Sequence, residues 1–145
     1  MMIASCDRSI MAPVDLVWSL ISTPDGLREW MAVEASVDLR VGGVIRWVHD
    51  NGWIVAGTIR DVVPMRRLSY TYGWEEGGFP VPLESSIVTI ELTARGAVTD
   101  LSVRHEGLTA AMAEQHTGGW LMFVTRLAER AERLTPVTPH GGAQQ

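Results

Sequence analysis

The stretch VTDLSVRHEGLTAAMAEQHTGGWLMFVTRLAERAERL, residues 98–134, decides the fold. Its first third alternates: Leu101, Val103 and His105 share one side, and Ser102, Arg104 and Glu106 the other. Successive side chains of an extended chain point to opposite faces, so this is a half-buried strand. Then the period changes. Trp120, Phe123, Val124, Leu127, Ala131 and Leu134 recur at helical spacing, while Arg126, Glu129, Arg130, Glu132 and Arg133 take the opposite side. The spacing predicts a helix over about residues 117–134, ~26 Å long. Thr109 is placed to cap a separate short helical turn through Met112 and His116. Gly118-Gly119 between them reads as a break or a close-packing point.

Moving toward the N-terminus, every segment back to Val33 repeats the strand period. SSIVTIELTAR (85–95) puts Val88, Ile90 and Leu92 on one face and turns at Gly96-Ala97. RRLSYTYGW (66–74) does the same with Leu68, Tyr70, Tyr72 and Trp74. WIVAGTIRDVV (53–63) is stopped by Pro64, and Asn51-Gly52 reads as a two-residue hairpin turn to VIRWVHD (44–50). VEASVDLR (33–40) precedes the Val41-Gly42-Gly43 turn. Six strands joined by short turns imply an antiparallel meander. MMIASCDRSI (1–10) reads as an edge strand that makes seven. Between it and the meander, Pro13 suits a first helical turn, and Val14, Val17, Trp18 and Ile21 follow helical spacing. A second short helix is expected over Gly26–Met31. The fold class is α+β: a seven-stranded antiparallel sheet curved around a long C-terminal helix, with two short helices between strands 1 and 2.

Several motifs in this order resemble the START-related (SRPBCC) helix-grip superfamily. Within it they resemble the C-terminal-type domain of the activator of heat shock protein 90 ATPase. They are Ile10-Met11-Ala12-Pro13 with Val17-Trp18, then Trp30, then Val41-Gly42-Gly43. Gly57 to Pro64 with Arg67-Leu68, Leu101 to His105 with Gly107, and Gly119-Trp120 with Leu127 continue the series to Leu134. The resemblance implies a cavity between sheet and helix and does not fix one activity. The superfamily includes lipid carriers, hormone receptors and polyketide cyclases.

With 145 residues, 46% hydrophobic and 20% charged, the chain is expected to form one domain over residues 1–134, with a flexible tail over 135–145. A net charge of −5 argues against a nucleic-acid partner, since phosphate neutralisation needs a basic face. All 12 basic residues are Arg, which removes Schiff-base and lysine-base chemistry. Cys6 is the single cysteine, and no apolar run approaches 18 residues. Met1 to Ile10 carries Asp7 and Arg8 where a signal peptide needs an apolar stretch. A cytoplasmic protein without membrane attachment is expected.

Six tryptophans are many for this length, and they are either core filling or an aromatic cage. The stripe Leu68, Tyr70, Tyr72, Trp74 favours a cage, because two phenols and an indole on one concave face are awkward to bury dry. Trp30, Trp47, Trp53, Met112, Trp120 and Phe123 join that stripe as expected ligand contacts. His105 and His116 are both contacts and acid–base candidates, with Tyr70 or Tyr72 as proton-transfer partners. They are expected to face each other across the cavity mouth. His49 reads as a hairpin position. Without a His/Cys cluster or a His-Glu-x-x-His pattern, neither a metal nor a cofactor is expected. The leading reading is a binder or carrier of a small apolar or aromatic molecule. A cyclase- or hydrolase-type enzyme and a stress-related or chaperone-associated interaction protein are the alternatives. The loop GGFPVPL (77–83) is expected to be a lid, a partner contact or half of a homodimer contact.

Overall fold

The computed structural model describes residues 2–136. Strand β1 (Met2–Ile10) leads through helices α1 (Val14–Ser22) and α2 (Pro24–Arg28) to β2 (Glu34–Val37). Then follow β3 (Val44–Val48), β4 (Ile54–Val63), β5 (Arg67–Trp74), β6 (Ser86–Arg95) and β7 (Val98–Leu108), and finally α3 (Ala110–Leu134). The sheet order is β1-β7-β6-β5-β4-β3-β2, antiparallel throughout. The expected architecture is therefore the observed one. The tail expected from residue 135 falls, from 137 on, outside the described residues. Among the described residues no helix is long and apolar enough to cross a membrane.

Four local expectations are corrected. Helix α3 runs unbroken through Gly118-Gly119 and takes in the segment expected to be a separate turn. Thr109 caps it by accepting the Met112 N–H, and helix formers fill its first two turns, so the nucleus lies before the glycines. Helix α2 starts earlier than Gly26 because the Thr23 hydroxyl accepts the Gly26 N–H with Pro24 at the first helical position. Gly26 itself lies against Ser19, where an added Cβ would fall 2.0 Å from the carbonyl oxygen. The strand expected over 33–40 pairs only over Glu34–Val37. The β3–β4 hairpin has a three-residue loop, Asp50 to Gly52, in which Gly52 alone takes positive φ, +88°.

Core packing fixes where the helix lies. Val124, Leu127, Ala128 and Ala131 of α3 are buried with Val17 and Ile21 of α1 and Leu101 and Val103 of β7. Helix α3 packs against β1 and β7, one margin of the sheet. The sheet bends at β4–β5, where the register shifts between Ile59 and Asp61. There the Thr58 N–H is satisfied by the Thr71 hydroxyl, and Gly57 lies so close to the Thr71 carbonyl that no Cβ fits. The bend carries β3, β4 and the end of β5 around the helix, and large side chains span the gap.

Candidate functional site

That gap holds a cavity of about 370 Å³. Strand β3 and its hairpin supply Trp47, His49, Asp50, Asn51 and Trp53, and β5 supplies Tyr72 and Trp74. Phe79 closes one side from the 77–83 loop, and Met31 enters from the connector. Helix α3 presents Gln115, His116, Gly119, Trp120, Met122, Phe123 and Arg126. Phe79 meets Trp53 and Trp74 edge-on, at ring separations of 4.8 and 5.2 Å, and Val81 is buried. The loop thus turns its Phe79 and Val81 inward.

Three tryptophan–histidine pairs order the wall. The Trp47 indole donates to His49 Nε2 at 3.1 Å, Trp74 to His116 Nε2 at 3.0 Å, and Trp120 to His105 Nδ1 at 3.1 Å. An indole only donates, so each accepting nitrogen is unprotonated and each ring is neutral. His116 Nδ1–H donates to the Met112 carbonyl (2.9 Å). Ser86 donates to the Tyr72 carbonyl, so its oxygen receives the His105 Nε2–H at 2.8 Å. Burial lowers the pKa of all three rings. His105 falls furthest, to about 3, by desolvation first and second by its coupling to His116, whose protonated form would repel a charge on it.

The phenols differ in their surroundings. Tyr72 lines the cavity, is almost wholly buried, and lies beside the Trp74 indole. Neither its O–H nor that of Tyr70, buried in the core, has an acceptor among the described residues; only that of Tyr72 stands at the cavity. Burial raises the pKa of both Tyr70 and Tyr72 well above the ordinary phenol value, so both hydroxyls keep their protons. A buried donor without an acceptor is costly, by roughly 1–3 kcal/mol.

Of the residues expected to touch a ligand, Trp47, Trp53, Tyr72, Trp74, His116, Trp120 and Phe123 meet at this cavity. Leu68 and Tyr70 share the stripe but lie further along β5, filled over by the core. Met112 is partly buried, one turn before His116 on α3, and does not reach the cavity. Trp30 donates its indole N–H to the Leu20 carbonyl and faces a different cleft. His105 lies behind the wall, fully buried. It and His116 meet inside the core with ring centres 5.3 Å apart, not across a mouth. His49, Phe79, Gly119 and Arg126 are wall residues that were not among the expected contacts. His49 carries a readable signal, since it continues the parity of Ile45 and Trp47 past the strand end. Among the described residues no cluster of three or more His, Cys, Asp or Glu side chains could hold a metal ion.

A second cleft, of about 350 Å³, adjoins the first. The two share Met31, His49, Asp50, Phe123 and Arg126. The outer cleft adds Arg28, Arg130 and Arg133 with Glu29 and Glu129.

Residues 11–132 match the family model described as "Activator of Hsp90 ATPase homolog 1-like protein". No curated protein matches the chain. Among solved structures it is similar to DynU16, from the dynemicin biosynthetic locus, with 27% identity and a TM-score of 0.78. That match covers 92% of this chain and 48% of DynU16, so the chain spans about half of that relative's length. Protein MLL2253 from Mesorhizobium loti aligns at 22% identity and TM-score 0.81, covering 93% of this chain and all of that one. The Aha1 dimer from Colwellia psychrerythraea aligns at 20% identity and TM-score 0.76, covering 91% and 97%. The last two likenesses bear on the fold alone.

Proposed function

The chain belongs to the activator of Hsp90 ATPase homolog 1-like family, and on that premise we propose that it binds a small flat aromatic molecule carrying an oxygen acceptor in the cavity under α3. The observation that carries this reading is the Tyr72 hydroxyl, a buried donor without an acceptor in a wall of aromatic rings. Indoles and neutral imidazoles present ring faces and edges, and their N–H groups are mostly spent on one another. Such a wall takes a planar apolar body, and Tyr72 orients it through a carbonyl or ether oxygen. The proton-transfer alternative has less behind it. Tyr72 lies close to both His105 and His116, at ring separations of 4.2 and 5.7 Å, yet no hydrogen bond joins its hydroxyl to either ring. Both nitrogens of each of these histidines are already engaged, so neither has a free lone pair for a base. We carry the cytoplasmic setting and a homodimer as parts of the reading, the second because the Colwellia structure is of a dimer.

The test compares 2-acetylnaphthalene with 2-ethylnaphthalene, which differ by the acceptor. Calorimetry should show one site per chain, with the ketone about three- to tenfold tighter, the range expected of one hydrogen bond. Tyr72→Phe should erase that difference and leave the hydrocarbon's affinity in place. If neither compound binds, the reading is wrong. If both bind alike to the unaltered protein, the cavity binds rings and the role of Tyr72 is lost.

A further inference from the structure

We infer that the ligand is an aromatic anion, its rings in the inner cavity and its acidic group at Arg126, on the seam with the outer cleft. This rests on the ring-binding reading above. The inner wall leaves little choice of place for a charge. Its histidines are held neutral by indole N–H donors, and the rest is aromatic, apolar or uncharged except Asp50 and Arg126. Both charged residues also line the outer cleft, so any charge on the ligand lies at the seam.

The sign follows from the arginines. Arg130 is paired with Glu29 at 2.5 Å, and Arg28 with Asp25. Arg126 has no carboxylate within ion-pair distance among the described residues. Its guanidinium lies over the Phe123 ring, 5.2 Å from the centroid. Phe123 itself separates the two cavities. A guanidinium held over a ring keeps N–H donors available at its edge, and a carboxylate can take two of them in parallel hydrogen bonds. Asp50 and Glu129 face the same space and oppose an anion. Arg28 and Arg130 are taken up by Asp25 and Glu29, so Arg133 joins Arg126 as unpaired among the described residues, against Asp50 and Glu129. The sign therefore rests on Arg126, the unpaired charge that lies over the Phe123 ring at the seam. The assigned class is thus an aromatic carboxylate or similarly acidic ring compound, with the acid on a short arm from the rings.

Two probes with one ring system separate this from simple ring binding: 8-anilino-1-naphthalenesulfonate and N-phenyl-1-naphthylamine, which lacks the sulfonate. Fluorescence titration should give the sulfonate about tenfold tighter binding at low salt, with the advantage shrinking as salt screens the exposed guanidinium. Each probe should displace the other. Arg126→Gln should remove the advantage, read as the ratio of the two affinities in the same variant, and Arg104→Gln, on the outer sheet face, should leave that ratio unchanged. Equal binding of both probes to the unaltered protein, or an advantage that survives Arg126→Gln, overturns the anion assignment and leaves ring binding standing. Failure of both probes to bind overturns the two together.

Discussion

His105 is a base kept from acting as one. It is fully buried, its Nδ1 takes the Trp120 N–H, and its own proton goes to Ser86. Burial disfavours the charged ring, and a second positive ring at His116 would repel it, so its pKa falls to about 3; charging it would also break the Trp120 bond. In the unfolded chain an ordinary histidine takes its proton near pH 6.5. Below that value the unfolded state therefore binds more protons, and stability is lost as pH falls from about 6.5 toward 3. His105 contributes a slope of about 1.4 kcal/mol per pH unit there, with His49 and His116 adding in the same direction. Asp100, lowered to about 2 by Arg95 and Ser9, loses its contribution only as pH falls below the ordinary carboxylate value, so the upper window belongs to the histidines. His105→Gln should lower stability at pH 7 but make the decline between pH 6.5 and 4.5 shallower by that slope. Urea midpoints across this range check it, and an unchanged slope would show that His105 does not titrate there. Which tryptophan meets which histidine was not readable in the sequence. Trp74 and His116 are 42 positions apart, and only the packing of α3 on the bent sheet joins them.

At the scale of elements, period alone was enough for the strands and for the apolar stripe of α3. The errors fell where local propensity met a stronger tertiary or capping term. Gly118-Gly119 should weaken a helix by about 1 kcal/mol each. The helix passes through them because Ala113, His116, Trp120, Val124 and Leu127 are buried on both sides of the pair. Gly118 is exposed, and a Cβ built there meets nothing within 4 Å. Gly118→Ala should therefore raise stability by about 1 kcal/mol, or about 3 °C in melting temperature for a chain of this size. Binding of the naphthalene probes should not change. A lower melting point would mean that the glycine is needed for a bend in α3, which no helix period could reveal.

At the scale of the whole molecule, the cavity follows from two facts that no segment holds by itself. Helix α3 leans on β1 and β7, and the sheet bends away from it at Gly57 and the β4–β5 register shift. The wall residues were partly legible because Tyr72, Trp74 and Trp120 lie on apolar faces. The empty volume was not, because it depends on how far two layers part. Gly119 connects the two matters. It lines the cavity, its added Cβ would meet nothing within 4 Å, and it sits on the helix face opposite Tyr72 and Trp74. A core selected for stability alone would place a large side chain there, since a helical glycine costs about 1 kcal/mol and an unfilled apolar space costs more. Gly119→Leu should therefore stabilise the fold by about 2 kcal/mol while abolishing binding of both the neutral and the anionic probe. Gly118→Ala, one residue away but facing solvent, gains stability without that loss. Melting curves and titrations on the two variants side by side decide the matter. If Gly119→Leu is stabilised and still binds, the ligand site lies elsewhere. If it is destabilised, the space at Gly119 is too small for a side chain, and the cavity is narrower than the ring system it is proposed to hold.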